Sequence, residues 1–556
     1  MITDKRGTGW LIFALAGLAV GLLSAPWGSS AKALVKVEKR DLLRLPADFL
    51  PELQGLQELE SSWVILASDE DLAGLAERRI PVEILDIAPE GKAYFLVFVP
   101  AAGDAARLYA DGNVRPLEDK ILLFWHGGRE AREILPAEFG LKRIFTEDRF
   151  PVTRSGRGRR EVQAGPEVRL RAESSDLIPQ MIAAVSKANL TKNIRDLQDF
   201  KTRYASTTAC ENAGTSLFQY FSALAPLETA YDPFTFGGTW TSRNIVAVLP
   251  GRADSSRSVI LCAHYDSISP VSQRMTDAPG ADDNASGTSA VMEIARVLSA
   301  YDFDFSLVFA CFSAEEWGLY GSRHYAQAAK AAGEEIIGVV NMDMIGYEDV
   351  PPEDIDVISN GSSEWLGDRY IAAAQRYALL PTLKIVNAGF RSSDHSPFWD
   401  QGYAALCGIE DAGVPNPYYH KTTDTLDKLN MDFATAVTKA SLALAAELAQ
   451  PVVALAAPSG VTARSQVSSS LFSSAKTVSL SWQASSAQAV GYNVYRAKSP
   501  SRNYEKINAA LLTTRTFTDR FLRVDSSYSY VVTAVDAQGR ESNHSAEVRD
   551  DAGNAN

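Results

Sequence analysis

Five short segments of the chain set histidines and carboxylates at the ends of apolar runs. Val259-Ile-Leu-Cys-Ala-His264-Tyr-Asp266 stops a β-branched stretch on a histidine, and Ala278-Pro-Gly-Ala-Asp282-Asp283-Asn-Ala-Ser-Gly287 puts two acids into a glycine-rich turn. Leu307-Val-Phe-Ala-Cys-Phe-Ser-Ala-Glu315-Glu316 and Val339-Val-Asn-Met-Asp343 end on carboxylates, and Asn416-Pro-Tyr-Tyr-His420 supplies a second histidine. Such groups at the ends of buried strands are costly to keep unless they bind something. Two histidines and three carboxylates, with one further glutamate beside a ligand, form a donor set for zinc, and zinc-activated water hydrolyses acyl bonds.

Each residue has a bland alternative, and the set outweighs it. A lone histidine is more often a satisfied core residue, but Asp266 stands two positions after His264, where a carboxylate can orient a metal-bound ring. Asp282 precedes a helix and could serve as its cap; two adjacent acids exceed what capping needs, so Asp282 is read as a carboxylate bridging two cations. Glu315 and Glu316 diverge as neighbours must, so one can bind metal while the other faces the bound water as a general base. Asp343 and His420 add one ligand for each metal.

These residues need a scaffold, and the apolar pattern provides one. Between residues 174 and 456, continuous apolar strands (Ile245–Leu249, Val259–Ala263, Leu307–Phe312, Ile336–Val340, Ala404–Ile409) alternate with helical stretches, notably Ile178–Leu190, Ile194–Arg203, Ser286–Ala300, Ser322–Ala332 and Met431–Leu448. That alternation implies an α/β domain: a mixed, largely parallel sheet with helices on both faces. Ligands of such sheets gather at the carboxyl ends of the strands, where His264, Glu315, Glu316 and Asp343 fall.

The flanking regions read differently. Residues 34–152 alternate short apolar runs with helical patches, as in a small α+β domain, and 153–173 include the glycine- and arginine-rich Thr153–Arg160, read as a linker. An arginine-rich linker invites cleavage, so residues 34–152 are either a propeptide or a domain behind an ordinary hinge. Residues 457–550 show period-2 alternation, the mark of a β-sandwich, and Trp482, Gly491-Tyr-Asn-Val-Tyr495 and Tyr528-Ser-Tyr-Val-Val-Thr-Ala534 resemble a fibronectin type III module. It carries no chemistry, and a surface, carbohydrate or protein contact is its expected role. At the start, Lys5 and Arg6 precede an apolar run from Trp10 to Ala25 and then Ala31-Lys-Ala33, the order of a secretory signal over residues 1–33. A signal anchor left uncut is the alternative. Either way the chain is expected to be exported, secreted or periplasmic, and after cleavage it has no stable membrane insertion.

A net charge of −14 without a basic patch argues against a nucleic-acid partner. Of the four cysteines, Cys262, Cys311 and Cys407 sit inside apolar runs and read as buried thiols, so a disulfide framework is not expected even with export.

The ordered series His264-x-Asp266, Gly280-Ala-Asp282-Asp283, Glu315-Glu316, Asp343 and His420 resembles the M28 family of di-zinc aminopeptidases across about residues 175–455. The resemblance implies two Zn2+ per chain held by His264, Asp282, Glu316, Asp343 and His420, with Asp282 bridging, Glu315 as the base and Asp266 orienting His264. It also implies a cis peptide between Asp282 and Asp283, and peptides with a free amino terminus as substrates. Secreted bacterial members often carry a cysteine pair and a tyrosine before Ser-Asp-His; here the stretch is Phe390-Arg-Ser-Ser-Asp-His395, without either. His395 is read as structural. Phe390, Met344, Ile358 and Tyr419 are candidate walls of an apolar substrate pocket. On the same fold, a glutaminyl cyclase, a dipeptidase or a carboxypeptidase is the rival reading, and a binding protein on an inactive peptidase scaffold is the non-enzymatic one. The cyclase pattern lacks the first histidine, and no ligand is missing here.

Overall fold

The computed structural model describes residues 32–151 with several gaps, 177–412, 416–452 and 455–550 with short gaps near 471, 487 and 538. The expected signal segment up to residue 31 and the arginine-rich linker lie outside the described residues. Among the described residues the first strand begins at Lys32, and Lys32 and Ala33 already pair with Ser68 and Ala67, so a cut after Ala33 would fall inside a paired strand.

The chain divides into two units, the larger comprising the N-terminal and peptidase-like regions and the smaller the C-terminal region. In the larger unit the N-terminal strands are β1 (Lys32–Glu38), β2 (Gln54–Glu58), β3 (Ser62–Ser68), β4 (Glu83–Asp86), β5 (Ala93–Phe98), β6 (Val114–Glu118), β7 (Ile121–His126), β8 (Gly140–Ile144) and β9 (Phe150–Pro151). They form two antiparallel sheets, β4-β1-β3-β2-β9 and β6-β7-β5-β8. The helix Asp69–Glu77 follows β3, started by a capping box in which Ser68 and Asp71 satisfy each other's amides. Apolar residues of both sheets, including Leu34, Leu66, Leu96 and Trp125, share one core.

The rest of this unit is built on eight strands: β10 (Glu228–Phe236), β11 (Trp240–Leu249), β12 (Asp254–His264), β13 (Phe305–Phe312), β14 (Glu335–Met342), β15 (Ile355–Ser359), β16 (Thr382–Val386) and β17 (Ala405–Ile409). Their order is β10-β11-β13-β12-β14-β17-β15-β16. The centre is parallel, with β12 between β13 and β14, while β10, β11 and the β15–β17 pairing are antiparallel. Alternate residues Ile260, Cys262, Val308, Ala310 and Phe312 face the helices Tyr320–Ala332 and His395–Asp400. The intervening residues face the other way, where the helices Gly287–Leu298 and Met431–Ala449 pack on the same strands. The mixed sheet with helices on both faces is therefore present.

Some expected boundaries shift. The two expected stretches, Ile178–Leu190 and Ile194–Arg203, are instead the helices Ile178–Ala183 and Lys187–Gln198: the break comes earlier because Ser186 is extended and its hydroxyl accepts the Asn189 amide as a cap. All four cysteines are buried free thiols. No helix among the described residues is long and apolar enough to cross a membrane.

The C-terminal unit has two antiparallel sheets, β18 (Thr462–Ser469), β19 (Ser474–Ser481) and β22 (Thr516–Leu522) in one, β20 (Gly491–Lys498), β21 (Glu505–Lys506), β23 (Tyr528–Val535) and β24 (Val548–Arg549) in the other. Trp482, Tyr492, Val494, Tyr530 and Val532 fill the core between them. A fully buried Lys476–Asp550 ion pair ties β19 to the end of the unit.

Candidate metal centre

His264 is the last residue of β12, Glu315 and Glu316 follow β13 by three and four residues, and Asp343 follows β14 directly. Three adjacent parallel strands thus deliver these side chains to one sheet edge. The turns that aim them are held in unusual backbone: Ala314, Met344 and His420 all have positive φ (56°, 49° and 54°). Non-glycine residues rarely tolerate that, and such strain concentrates at functional sites.

His264 sets the geometry. Its Nδ1 lies 3.1 Å from the main-chain oxygen of Asp266, which can only accept, so Nδ1 carries a proton and Nε2 is the atom that faces the cluster. Nε2 is 3.2 Å from Asp283 Oδ1 and 3.4 Å from Asp343 Oδ1. The other oxygen of Asp283 is 2.9 Å from His420 Nε2, which is also 3.1 Å from Glu316 Oε2. Two sets of closely spaced ligand atoms result, His264–Glu315–Asp343 and Asp283–Glu316–His420, every member buried. Asp283 reaches a histidine of each.

This corrects the assignment of the bridge. Asp282 turns away from both histidines: its Oδ1 accepts the Gly346 amide at 2.8 Å and its Oδ2 the Asn416 side-chain amide at 2.9 Å. Charge distinguishes the two neighbours as well. Burial pushes the Asp282 carboxyl up to about 6, with Asp283 adding to the rise. Burial acts on Asp283 too, but hydrogen bonds and charge from His264 and His420 hold it well below its usual range. The cis peptide likewise falls one residue later than expected, between Asp283 and Asn284.

The role of Asp266 also differs in detail. Its carboxylate is 3.6 Å from His264 Nδ1, beyond a good hydrogen bond, and instead accepts the amides of Glu315 and Glu316 at 3.2 and 3.3 Å. Asp266 therefore holds the histidine through its carbonyl and the glutamate turn through its carboxylate. Glu315 makes no ion pair with either imidazole among the described residues, whereas Glu316 does. Burial drives the Glu315 carboxyl well above its usual value, opposed by His264 and reinforced by Glu316, Asp394 and Asp343.

A shell of buried groups fixes the Asp282–Asp283 turn. The Asp424 carboxylate accepts both of its amides, at 2.9 and 3.0 Å. The Arg203 guanidinium, fully buried, donates to the carbonyls of Leu197, Tyr265, Pro279 and Gly280 at 2.6–3.1 Å. Gly280 has φ +50°, and a Cβ there would lie 2.3 Å from the Asp283 carbonyl oxygen. Sequence reasoning gave neither Arg203 nor Asp424, four residues past His420, a role in the site.

The cluster fits divalent cations. Four carboxylates converge on two imidazoles in a site withdrawn from water, leaving excess negative charge. In response His420 is pushed up to about 9, against burial, by Glu316 and Asp283, and His264 rises likewise through Glu315 and Asp343. Asp343 Oδ1 is buried without a hydrogen-bond donor. Two cations would satisfy that oxygen and balance the charge.

A pocket opens at the cluster. Met344, Phe390 and Tyr419 line it as expected, with Tyr419 stacked on His420 at 3.7 Å. Ile358 does not: it is fully buried in the sheet core beside Cys407, and Ile409 stands at the pocket instead. Residues of a central strand read alike from sequence; only the pairing shows which one reaches the open end. Ser393 also lines the pocket and donates to Asp343 Oδ2. His395 lies apart, donating from Nε2 to the Phe390 carbonyl at 2.9 Å and meeting the Trp399 ring edge-on at 4.4 Å.

The profile of Peptidase family M28 matches residues 244–445. A probable leucine aminopeptidase of Arthroderma otae is 30% identical over 290 residues, covering 50% of this chain and 77% of that protein. Leucine aminopeptidase 1 of Fusarium vanettenii is 29% identical over 289 residues, 49% of this chain and 73% of its own. The LapA aminopeptidase of Legionella pneumophila aligns over 76% of this chain and 100% of its own at 18% identity, with a TM-score of 0.49. The zinc aminopeptidase BSAP of Bacillus subtilis covers 38% of this chain and 51% of its own at 27% identity, with a TM-score of 0.34.

Proposed function

The chain belongs to peptidase family M28, and on that premise we propose that it is a zinc aminopeptidase that releases apolar residues from the amino termini of peptides. The observation that carries this reading is Asp283, whose two oxygens lie 3.2 Å from His264 Nε2 and 2.9 Å from His420 Nε2. A carboxylate so placed joins two cation sites that otherwise share no ligand.

In this reading His264, Asp343 and Asp283 hold one cation, and Asp283, Glu316 and His420 the other. Two cations bound there would supply Lewis acidity toward a water and the scissile carbonyl. Glu315, the one cluster carboxylate without an imidazole partner, takes the proton of the attacking water and passes it to the leaving amine. A raised pKa suits a carboxyl that must carry a proton for part of the cycle. Asp266 keeps the two glutamates diverging by holding both their amides, and its carbonyl fixes the His264 tautomer. Met344, Phe390, Ile409 and Tyr419 receive the side chain of the first residue, and their apolar character excludes charged ones. Export by the segment before Lys32 belongs to the same proposal.

The test pairs metal analysis with a panel of aminoacyl p-nitroanilides. Zinc-dependent turnover of leucyl or phenylalanyl substrates, lost with a chelator and absent with N-blocked substrates, supports the reading. Zinc binding with cleavage only of blocked or internal bonds refutes it.

A further inference from the structure

One wall of the pocket comes from outside the peptidase-like sheet. Leu141, in the edge strand β8 of the N-terminal four-stranded sheet, lines it together with Met344, Phe390 and Tyr419. β8 is fastened there by three contacts. The Arg143 amide donates to the carbonyl of Gly318, two residues past Glu316, at 3.4 Å. The Arg143 guanidinium donates to the Tyr320 hydroxyl. Lys142 Nζ, its side chain 6% exposed, is 2.7 Å from Asp400 Oδ2, while Arg391 Nη1 holds Asp400 Oδ1, also at 2.7 Å.

These contacts are built rather than incidental. An ammonium is withdrawn from water only at a cost that good pairing must offset, and Lys142 has that pairing across the contact. Gly318 has φ +116°, and a Cβ on it would lie 3.0 Å from the Arg143 nitrogen, so this close main-chain approach requires glycine on the peptidase side. Leu141 is also packed among Phe95, Val97 and Leu122 of its own sheet, which leaves it little freedom to move aside.

Resting on the aminopeptidase reading above, we propose that Leu141 is a specificity-determining wall of the side-chain pocket, which makes the N-terminal domain part of the working enzyme. A leucine fixed on a strand limits the depth of the pocket and adds apolar surface to it. The substrate residue is then selected by a composite pocket, walled on one side by β8 and on the others by the end of β17 and the loops after β14, β16 and β17. The alternative, a strand that merely covers the site, differs in its consequence: uncovering accelerates all substrates alike.

The test uses the full chain with alanyl, leucyl and phenylalanyl p-nitroanilides. Leu141→Ala enlarges the pocket and should raise kcat/KM for the phenylalanyl substrate relative to the alanyl one about tenfold, mainly through KM. Leu141→Phe should shift the ratio the opposite way. Lys142→Met, which loosens the anchor while Arg391 still pairs Asp400, should move it in the direction of Leu141→Ala without touching the pocket lining; this variant keeps the test valid if Leu141→Ala does not fold. Equal changes for all substrates, or unchanged ratios in the folded variants, overturn the proposal. Wild-type protein that binds zinc but cleaves none of the three defeats the aminopeptidase reading, and the proposal with it.

Discussion

Asp282 and Asp283 are chain neighbours with opposite surroundings, one among amide donors and the other between two imidazoles. Asp282→Asn should keep its hydrogen bonds in part and leave zinc in place, with some loss of stability. Asp283→Asn removes a shared ligand and should empty at least one metal site. Elemental analysis of the two variants separates them. For the glutamates, Glu315→Gln keeps size and polarity while removing the base, so zinc should persist while kcat falls by about 10²–10⁴. Glu316→Gln should lower zinc occupancy as well. If Glu315→Gln is the variant that loses metal, the two roles are exchanged. Most of the residues that the structure brings together were legible in the sequence, because histidines and acids at the ends of apolar runs are conspicuous. The sequence could not choose between adjacent aspartates, since a turn that reverses its backbone within two residues leaves no periodicity to read. Nor could it separate Ile358 from Ile409, both apolar and β-branched, when only strand pairing decides which reaches the open end of the sheet.

At the scale of elements, β11 to β14 and β17 were legible because their buried stretches are continuously apolar, whereas the short interior strand β15, buried but carrying Asp356 and Ser359, was not. Nor were the edge strands. β10 is exposed or half-buried until Phe234 and Phe236 and contains Pro233, and β16 has no buried position, so neither shows the apolar run that marks a central strand. The helices Thr208–Ser222 and Glu364–Arg376 escaped notice for a related reason, their apolar stripes being narrow and interrupted by glycine and polar residues. Two elements carry the site's precision. The helix Gly287–Leu298 approaches β14 so closely that a Cβ on Gly287 would lie 2.2 Å from the Met342 carbonyl oxygen. Gly287→Ala should push helix and strand apart just before Asp343 and reduce both melting temperature and zinc content. Arg203 fastens the turn from the other side by donating to four carbonyls. Arg203→Met leaves those acceptors buried without a donor and should cost at least about 3 kcal/mol, read as the shift of the peptidase transition in urea at constant slope. A shift under about 1 kcal/mol would mean that water replaces the guanidinium.

Across the whole molecule, the two units have separate cores, and the residues proposed to do chemistry all lie between 264 and 420. Deleting residues 457–556 should therefore leave kcat/KM for a small aminoacyl substrate nearly unchanged, whatever the sandwich contributes to attachment. A large loss would show that the C-terminal unit takes part in catalysis. The central claim is a paired cation centre joined by Asp283, and elemental analysis of the purified full chain tests it most directly. About two zinc ions per chain are expected in the wild type and in Asp282→Asn, with clear loss in Asp283→Asn. A wild type that saturates at one zinc, or a loss confined to Asp282→Asn, would contradict it.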